Sequence, residues 1–184
     1  VNGNKISTHI AFYNFGSAGQ MELNNQVGEL NVDAVLAPQI FFCDNSTAVA
    51  VRTDGFTVFS GSQSPKEKKT VKFDQEIIST FHDGNRIGFV FDGGDSGHKY
   101  LMKVYNTGGK NTMQKYFDLQ YNSITLQKDK IVLFNEKEFA IYKLNGQKTF
   151  QGKYRKPIQN VLSIRGFRKY MVITEDSADL IRLG

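Results

Sequence analysis

Apolar residues occur in short blocks of four to six, separated by clusters of Gly, Asn, Asp and Ser. No window keeps the three-and-four spacing of an amphipathic helix, so the pattern predicts strands and turns, with helices few and short. Residues 121–154 show the order most plainly. YNSITL (121–126) is followed by a short turn, KIVLF (130–134), a second turn, and EFAIYKL (138–144). Asn145-Gly146 then closes a hairpin onto KTFQGKY (148–154). Asn-Gly between two apolar runs is a strong hairpin signal, because both central residues of the turn take positive φ.

The same order recurs. Upstream, EIISTF (76–81), RIGFVF (86–91), KYLMKVYN (99–106) and MQKYFDL (113–119) repeat it. One unit earlier stand QIFFC (39–43), TAVAV (47–51), GFTVFS (55–60) and KTVKF (69–73). VLSI (161–164), KYMVIT (169–174) and ADLIRL (178–183) begin the order again. HIAFYNFG (9–16) resembles a third strand, with QMELNNQ (20–26) as a candidate fourth. An apolar marker near the end of each third strand falls at Tyr13, Phe59, Tyr105, Tyr142 and Ile181, with gaps of 46, 46, 37 and 39 residues.

Self-similarity at this period, with four short strands per unit, predicts β-propeller blades. A four-stranded meander cannot bury both of its faces alone, so neighbouring units stack and share a core. The expected fold is all-β: about four four-stranded antiparallel blades in one domain, as part of a larger propeller. A β-sandwich of hairpins is the competing architecture. The blade units run about 1–38 (partial), 39–75, 76–120, 121–157 and 158–184 (partial). The half units could join into a composite blade, or two copies could pair; a fragment of a larger ring is the favoured reading.

Composition narrows the function classes. The 184 residues suffice for one domain with a sizeable core. The chain begins at Val1 with neither an initiator Met nor a charged-then-apolar leader, so it is expected to be a piece of something longer. The lone Cys43, set in IFFCDN, excludes an internal disulfide and a four-cysteine zinc site, and its apolar neighbours predict a buried, inert thiol. His9, His82 and His98 fall in three different units without ligand spacing. DGGDSG (92–97) lacks the alternating ligands of a calcium loop, and NTGGKN (106–111) lacks the lysine and helix of a phosphate cradle. No cofactor, metal or catalytic residue is predicted.

Charge carries the one functional signal. Residues 1–127 hold 11 Lys and Arg against 12 Asp and Glu; residues 128–184 hold 12 against 6. In a propeller, turns joining second to third strands open on one face, here with Asp54, Asp92, Asp95, Glu136, Glu175 and Asp176. The opposite face would collect Lys66, Lys68, Lys69, Lys110, Lys128, Lys148, Arg165, Arg168 and Lys169. Of these, Lys110, Lys128, Arg165, Arg168 and Lys169, with the aromatic Phe167, form the candidate partner-binding set. Charged loops that merely solvate the face are the plainer account. KYRK (153–156) falls toward the acidic face, against a continuous nucleic-acid track.

IAFYNFG (10–16), NSTAVAVRTDGFTVFS (45–60), QEIISTF (75–81) and YMVITEDSADLIRLG (170–184) resemble the carboxyl-terminal half of an uncharacterised clostridial family, domain of unknown function family 5711. The likeness covers nearly the whole chain through strand-core motifs rather than a catalytic signature. It implies a longer protein with an amino-terminal membrane helix and a propeller-like extracytoplasmic region, in a Gram-positive cell envelope. It carries over no site residues. The leading expectation is therefore a non-enzymatic interaction or scaffold module whose partner is another protein or an anionic envelope component. Membrane association would come only through the absent anchor, and a homodimer stays open. A small-ligand binder or enzyme using the central channel is the alternative, and nucleic-acid binding ranks last.

Overall fold

The computed structural model describes residues 8–14, 25–32, 36–62, 64–164 and 168–183. They fall into two compact units: residues 1–77 with 106–110, and residues 78–105 with 111–184.

In the first unit, β1 (Thr8–Tyr13) pairs antiparallel with β2 (Gln26–Val32). A four-stranded sheet follows, β3 (Gln39–Asp44), β4 (Thr47–Arg52), β5 (Gly55–Ser60) and β6 (Lys66–Lys72), neighbours in chain order. The apolar runs of β4 and β5 are buried almost throughout, as a strand covered on both faces must be. Ile10, Phe12 and Val32 pack on Ala48, Ala50 and Phe59, with the Phe12 and Phe59 rings edge to face at 5.4 Å. The β4–β5 turn is tight: Gly55 takes φ +148°, and a Cβ there would meet the Val71 carbonyl oxygen at 2.0 Å. Beside it Arg52 is buried, its guanidinium donating to both oxygens of Asp54 at 2.8 and 3.0 Å.

In the second unit, β7 (Ser79–Asp83), β8 (Arg86–Asp92), β9 (Tyr100–Asn106) and β10 (Asn111–Phe117) form one meander. β11 (Ser123–Gln127), β12 (Lys130–Phe134), β13 (Glu138–Lys143) and β14 (Lys148–Lys153) form the next. β15 (Asn160–Ser163), β16 (Lys169–Ile173) and β17 (Ala178–Arg182) make a three-stranded sheet. One core joins Phe81, Val90, Met102, Met113 and Phe117 to Ile124, Ile131, Leu133, Ala140 and Tyr142. A second joins Val132, Phe134, Phe139 and Ile141 to Val161, Tyr170 and Val172. Alternate residues of β12 and β13 thus feed two cores, one on each sheet face, which is why both strands read as unbroken apolar runs. Each such side chain contributes about 1.5–3 kcal/mol by leaving water. Gly88 lies opposite Phe81, and a Cβ on it would sit 2.1 Å from that ring.

Among the described residues the chain is therefore built of antiparallel β-sheets, three of them four-stranded meanders, with one short 3-10 turn, Gly94–Ser96, between β8 and β9. Several sequence readings need correction. Tyr13 is 52 % exposed; a bulge between Phe12 and Tyr13 makes Phe12 the buried marker. EIISTF was expected to be strand throughout, but β7 starts only at Ser79. Lys66 and Lys68, expected in a turn, lie within β6, which starts three residues before the expected strand at Lys69. This strand is the sheet's polar edge, where lysines oppose pairing with other chains. In the stretch 20–26, expected as a strand, residues 20–24 lie outside the described residues, and β2 begins at Gln26.

Candidate interaction face

Each four-stranded meander has a turn between its first and second strands. In the second unit these turns are 84–85 and 128–129, and the β15–β16 connection ends at Arg168. Gly84, Lys128 and Arg168 all sit in left-handed backbone, with φ of 53°, 58° and 54°. Glycine does this freely, whereas a lysine or an arginine pays roughly 1 kcal/mol in crowding of its Cβ. Something must hold the two basic residues there.

Hydrogen bonds between neighbouring sheets hold the Lys128 turn. Asp83, the last residue of β7, accepts from the Lys128 amide at 2.7 Å. Arg86 donates to the Lys128 carbonyl at 2.9 Å. One sheet further on, Gln127, the last residue of β11, takes the same role. Its amide donates to the Val161 carbonyl at 2.9 Å and its oxygen accepts from the Ser163 amide. The last residues of β7 and β11 thus reach across to the next sheet, Asp83 to the Lys128 turn and Gln127 to strand β15. In the first unit the equivalent residue, Asp44, turns back on its own chain and accepts from the Ser46 amide at 2.8 Å.

The rim so formed is basic. Among the described residues it carries Arg86, Lys128, Lys130, Arg168 and Lys169 against Asp83 and Asp129. The Asp129 carboxyl is held below its usual range, first by a hydrogen bond from Lys130, with Arg86 adding a smaller attraction. Burial pushes the Tyr170 hydroxyl up; Asp129 adds to the shift and Arg168 opposes it. Lys128, Arg168 and Lys169 are exposed. Of the remaining candidates, Lys110 is exposed on the β9–β10 turn and is grouped with the first unit. Arg165 and Phe167 lie outside the described residues.

At the other end of the same sheets the loops pair their charges. Lys156 reaches both oxygens of Asp176, at 3.0 and 2.9 Å, and Arg155 lies 3.8 Å from Asp179. His98 Nδ1 is 2.8 Å from Asp118, which also accepts from the Lys99 amide at 3.0 Å. The KYRK run therefore works on this side by neutralising carboxylates. Cys43 is half-buried, and burial, with Asp44 beside it, pushes its thiol up and away from the reactive thiolate. Sequence reasoning missed Asp83, Arg86 and Gln127, which lock the rim; their position as last or first residues beside a turn was the available signal.

The model of a family of unknown function, DUF5711, matches residues 1–183. The chain belongs to that family. No curated protein matches it. Among solved structures, Sqt1 of Saccharomyces cerevisiae superposes with a TM-score of 0.55 at 10% identity, over 81% of this chain and 46% of that one. BBS1N, in a complex with ARL6DN soaked with mercury, gives 0.52 at 10% identity, over 85% and 53%. The WD40 domain of SCAP from fission yeast gives 0.50 at 14% identity, over 79% and 44%. This family member thus has a WD40 or propeller type of fold, and it spans about half the length of these structures.

Proposed function

We propose that this DUF5711 chain is a non-enzymatic interaction module, held outside the cytoplasm in the envelope of a Gram-positive bacterium, whose basic rim docks an acidic partner. A propeller-type fold in a family of unknown function fits an interaction module. BBS1N, a similar fold, was solved in complex with ARL6DN, an instance of such a fold meeting a protein. The observation that carries the reading is the rim itself. Lys128 and Arg168 keep unfavourable backbone conformations at equivalent turns, with the Lys128 turn clamped from the neighbouring sheet. Backbone strain of this kind is retained at sites of function. The partner is an acidic protein surface or an anionic envelope polymer, attracted over roughly a Debye length of ~8 Å at physiological salt.

The experiment is cross-linked capture from a cell-envelope extract, comparing the native chain with Lys128→Glu/Arg168→Glu/Lys169→Glu. The partner should be captured by the native chain, released as salt rises, and lost in the variant. Capture unchanged by the triple reversal contradicts the proposal.

A further inference from the structure

A cleft of about 850 Å³ opens in the second unit, between β10 with its following loop and the β13–β14 hairpin. That size suits a small-molecule site. Its floor is apolar: Phe117 and Leu119 are buried, and the Phe117 ring lies 6.5 Å from that of Tyr142. Tyr142 itself is only 3 % exposed, yet it lines the cleft and its hydroxyl makes no hydrogen bond within the described residues. A phenol both donates and accepts, so the floor presents an unused pair of hydrogen-bonding functions.

The walls are polar and partly fixed. Asp118 is anchored by His98 and by the Lys99 amide, and His98 stacks on Tyr116 at 5.7 Å with the planes 19° apart. Lys148 is held by Gln151 at 2.8 Å. Lys115, Asn122 and Glu138 also line the space, and the side chains of the three have no hydrogen-bond or ion-pair partner within the described residues. The signs of charge then select the ligand. Asp118, Glu136 and Glu138 repel an anion such as phosphate, and Lys99, Lys115, Lys137 and Lys148 repel a simple cation. A neutral hydroxyl satisfies both kinds of neighbour, because it donates to carboxylates and accepts from ammonium and amide groups. A sugar ring adds C–H faces, which suit the half-buried Tyr116 ring in the wall.

We propose that this cleft binds a neutral oligosaccharide, with the Tyr142 hydroxyl and the Glu138 carboxylate holding ring hydroxyls and the half-buried Tyr116 supporting the ring. The site is separate from the basic rim and does not depend on the rim having a partner.

The test is an amide-resolved NMR titration of the whole chain with chitotetraose, cellotetraose and maltotetraose in turn, using inositol hexaphosphate and an extended octapeptide as contrasts. At least one of the three sugars should shift amides of residues 115–122 and 135–138 selectively. Tyr142→Phe, which removes one oxygen, should weaken that binding about tenfold, and Glu138→Gln about fivefold. The native spectrum of each variant serves as the check on folding; should Tyr142→Phe fail it, Glu138→Gln and Lys115→Gln carry the test. No shift with any of the three sugars overturns the proposal. So do shifts unaffected by the substitutions, and stronger binding of the phosphate or peptide probe at the same amides.

Discussion

At one end of the second unit, Lys156 sits on Asp176, Arg155 lies near Asp179 and His98 is bound to Asp118. At the other end, among the described residues, five cations face two carboxylates, and the backbone beneath them is tied from sheet to sheet by Asp83, Arg86 and Gln127. Paired surface charges keep a loop soluble and contribute little else. On the proposed reading, cations in excess of carboxylates on turns supported from the neighbouring sheet hold a charge pattern in place for a partner. The ends differ in charge balance and in how their ties run: through backbone groups at the rim, and through side-chain pairs such as Tyr154 with Asp179 and Lys156 with Asp176 at the other end.

The largest effect should come from removing the platform that both ends share. Phe139→Ala, in the core between β13 and β15–β16, should cost about 3–5 kcal/mol in urea denaturation. The rim ties come next. Gln127→Ala leaves the part-buried Val161 carbonyl and Ser163 amide without their partner and should cost about 1–3 kcal/mol. Its counterpart on the paired end, Lys156→Ala, should cost less than about 1 kcal/mol, because that bridge is largely exposed. Equal losses from the two variants would erase the distinction between a wired rim and a solvated loop.

Backbone strain gives a smaller and more specific effect. Lys128→Val, a branched side chain in left-handed backbone, should destabilise by about 1 kcal/mol. Lys128→Gly should leave stability within about 0.5 kcal/mol of the native chain, since relief of crowding offsets the entropy of glycine, while still weakening partner capture. Parallel melting curves decide it.

The smallest effects come from pH. On the paired end, Asp118 and Asp176 titrate below their ordinary value of 3.8, through hydrogen bonds from His98 and Lys156 respectively. A carboxyl depressed by folding contributes stability that is present above that value and is lost as pH falls through the folded one. Melting below pH 4 should therefore be less sensitive in Asp176→Asn than in the native chain. On the alkaline side, burial pushes Tyr142 and Tyr170 above their ordinary value of 10. That contribution is complete below pH 10 and is lost as pH rises through the folded values, so Tyr170→Phe should flatten the alkaline limb.

Much of the fold could be read in the sequence because the buried strands leave no choice. KIVLF and EFAIYK cannot be solvated on either face, and Asn145-Gly146 fixes the hairpin that follows. The polar edge was harder. KEKKTVK resembles a loop in composition and is a strand only because β5 pairs with it in register. The shift from Tyr13 to Phe12 depends on a bulge, which a regular spacing does not encode. For the rim, Lys128, Arg168 and Lys169 were legible in the sequence, while Arg86, Lys130 and the supporting contacts were not. Asp83 and Lys128 stand 45 positions apart and meet only through the stacking of two sheets. The cleft was hidden for the same reason, since Tyr142 entered the pattern only as a core marker.

Site-specific photo-cross-linking tests the central claim most directly. A benzophenone side chain is placed at Lys169 on the rim or at Lys156 on the paired end, and each chain is irradiated in a cell-envelope extract. The account predicts a discrete adduct from position 169, suppressed by added salt, and none from position 156. Adducts from position 156 alone, or equally from both, would contradict it.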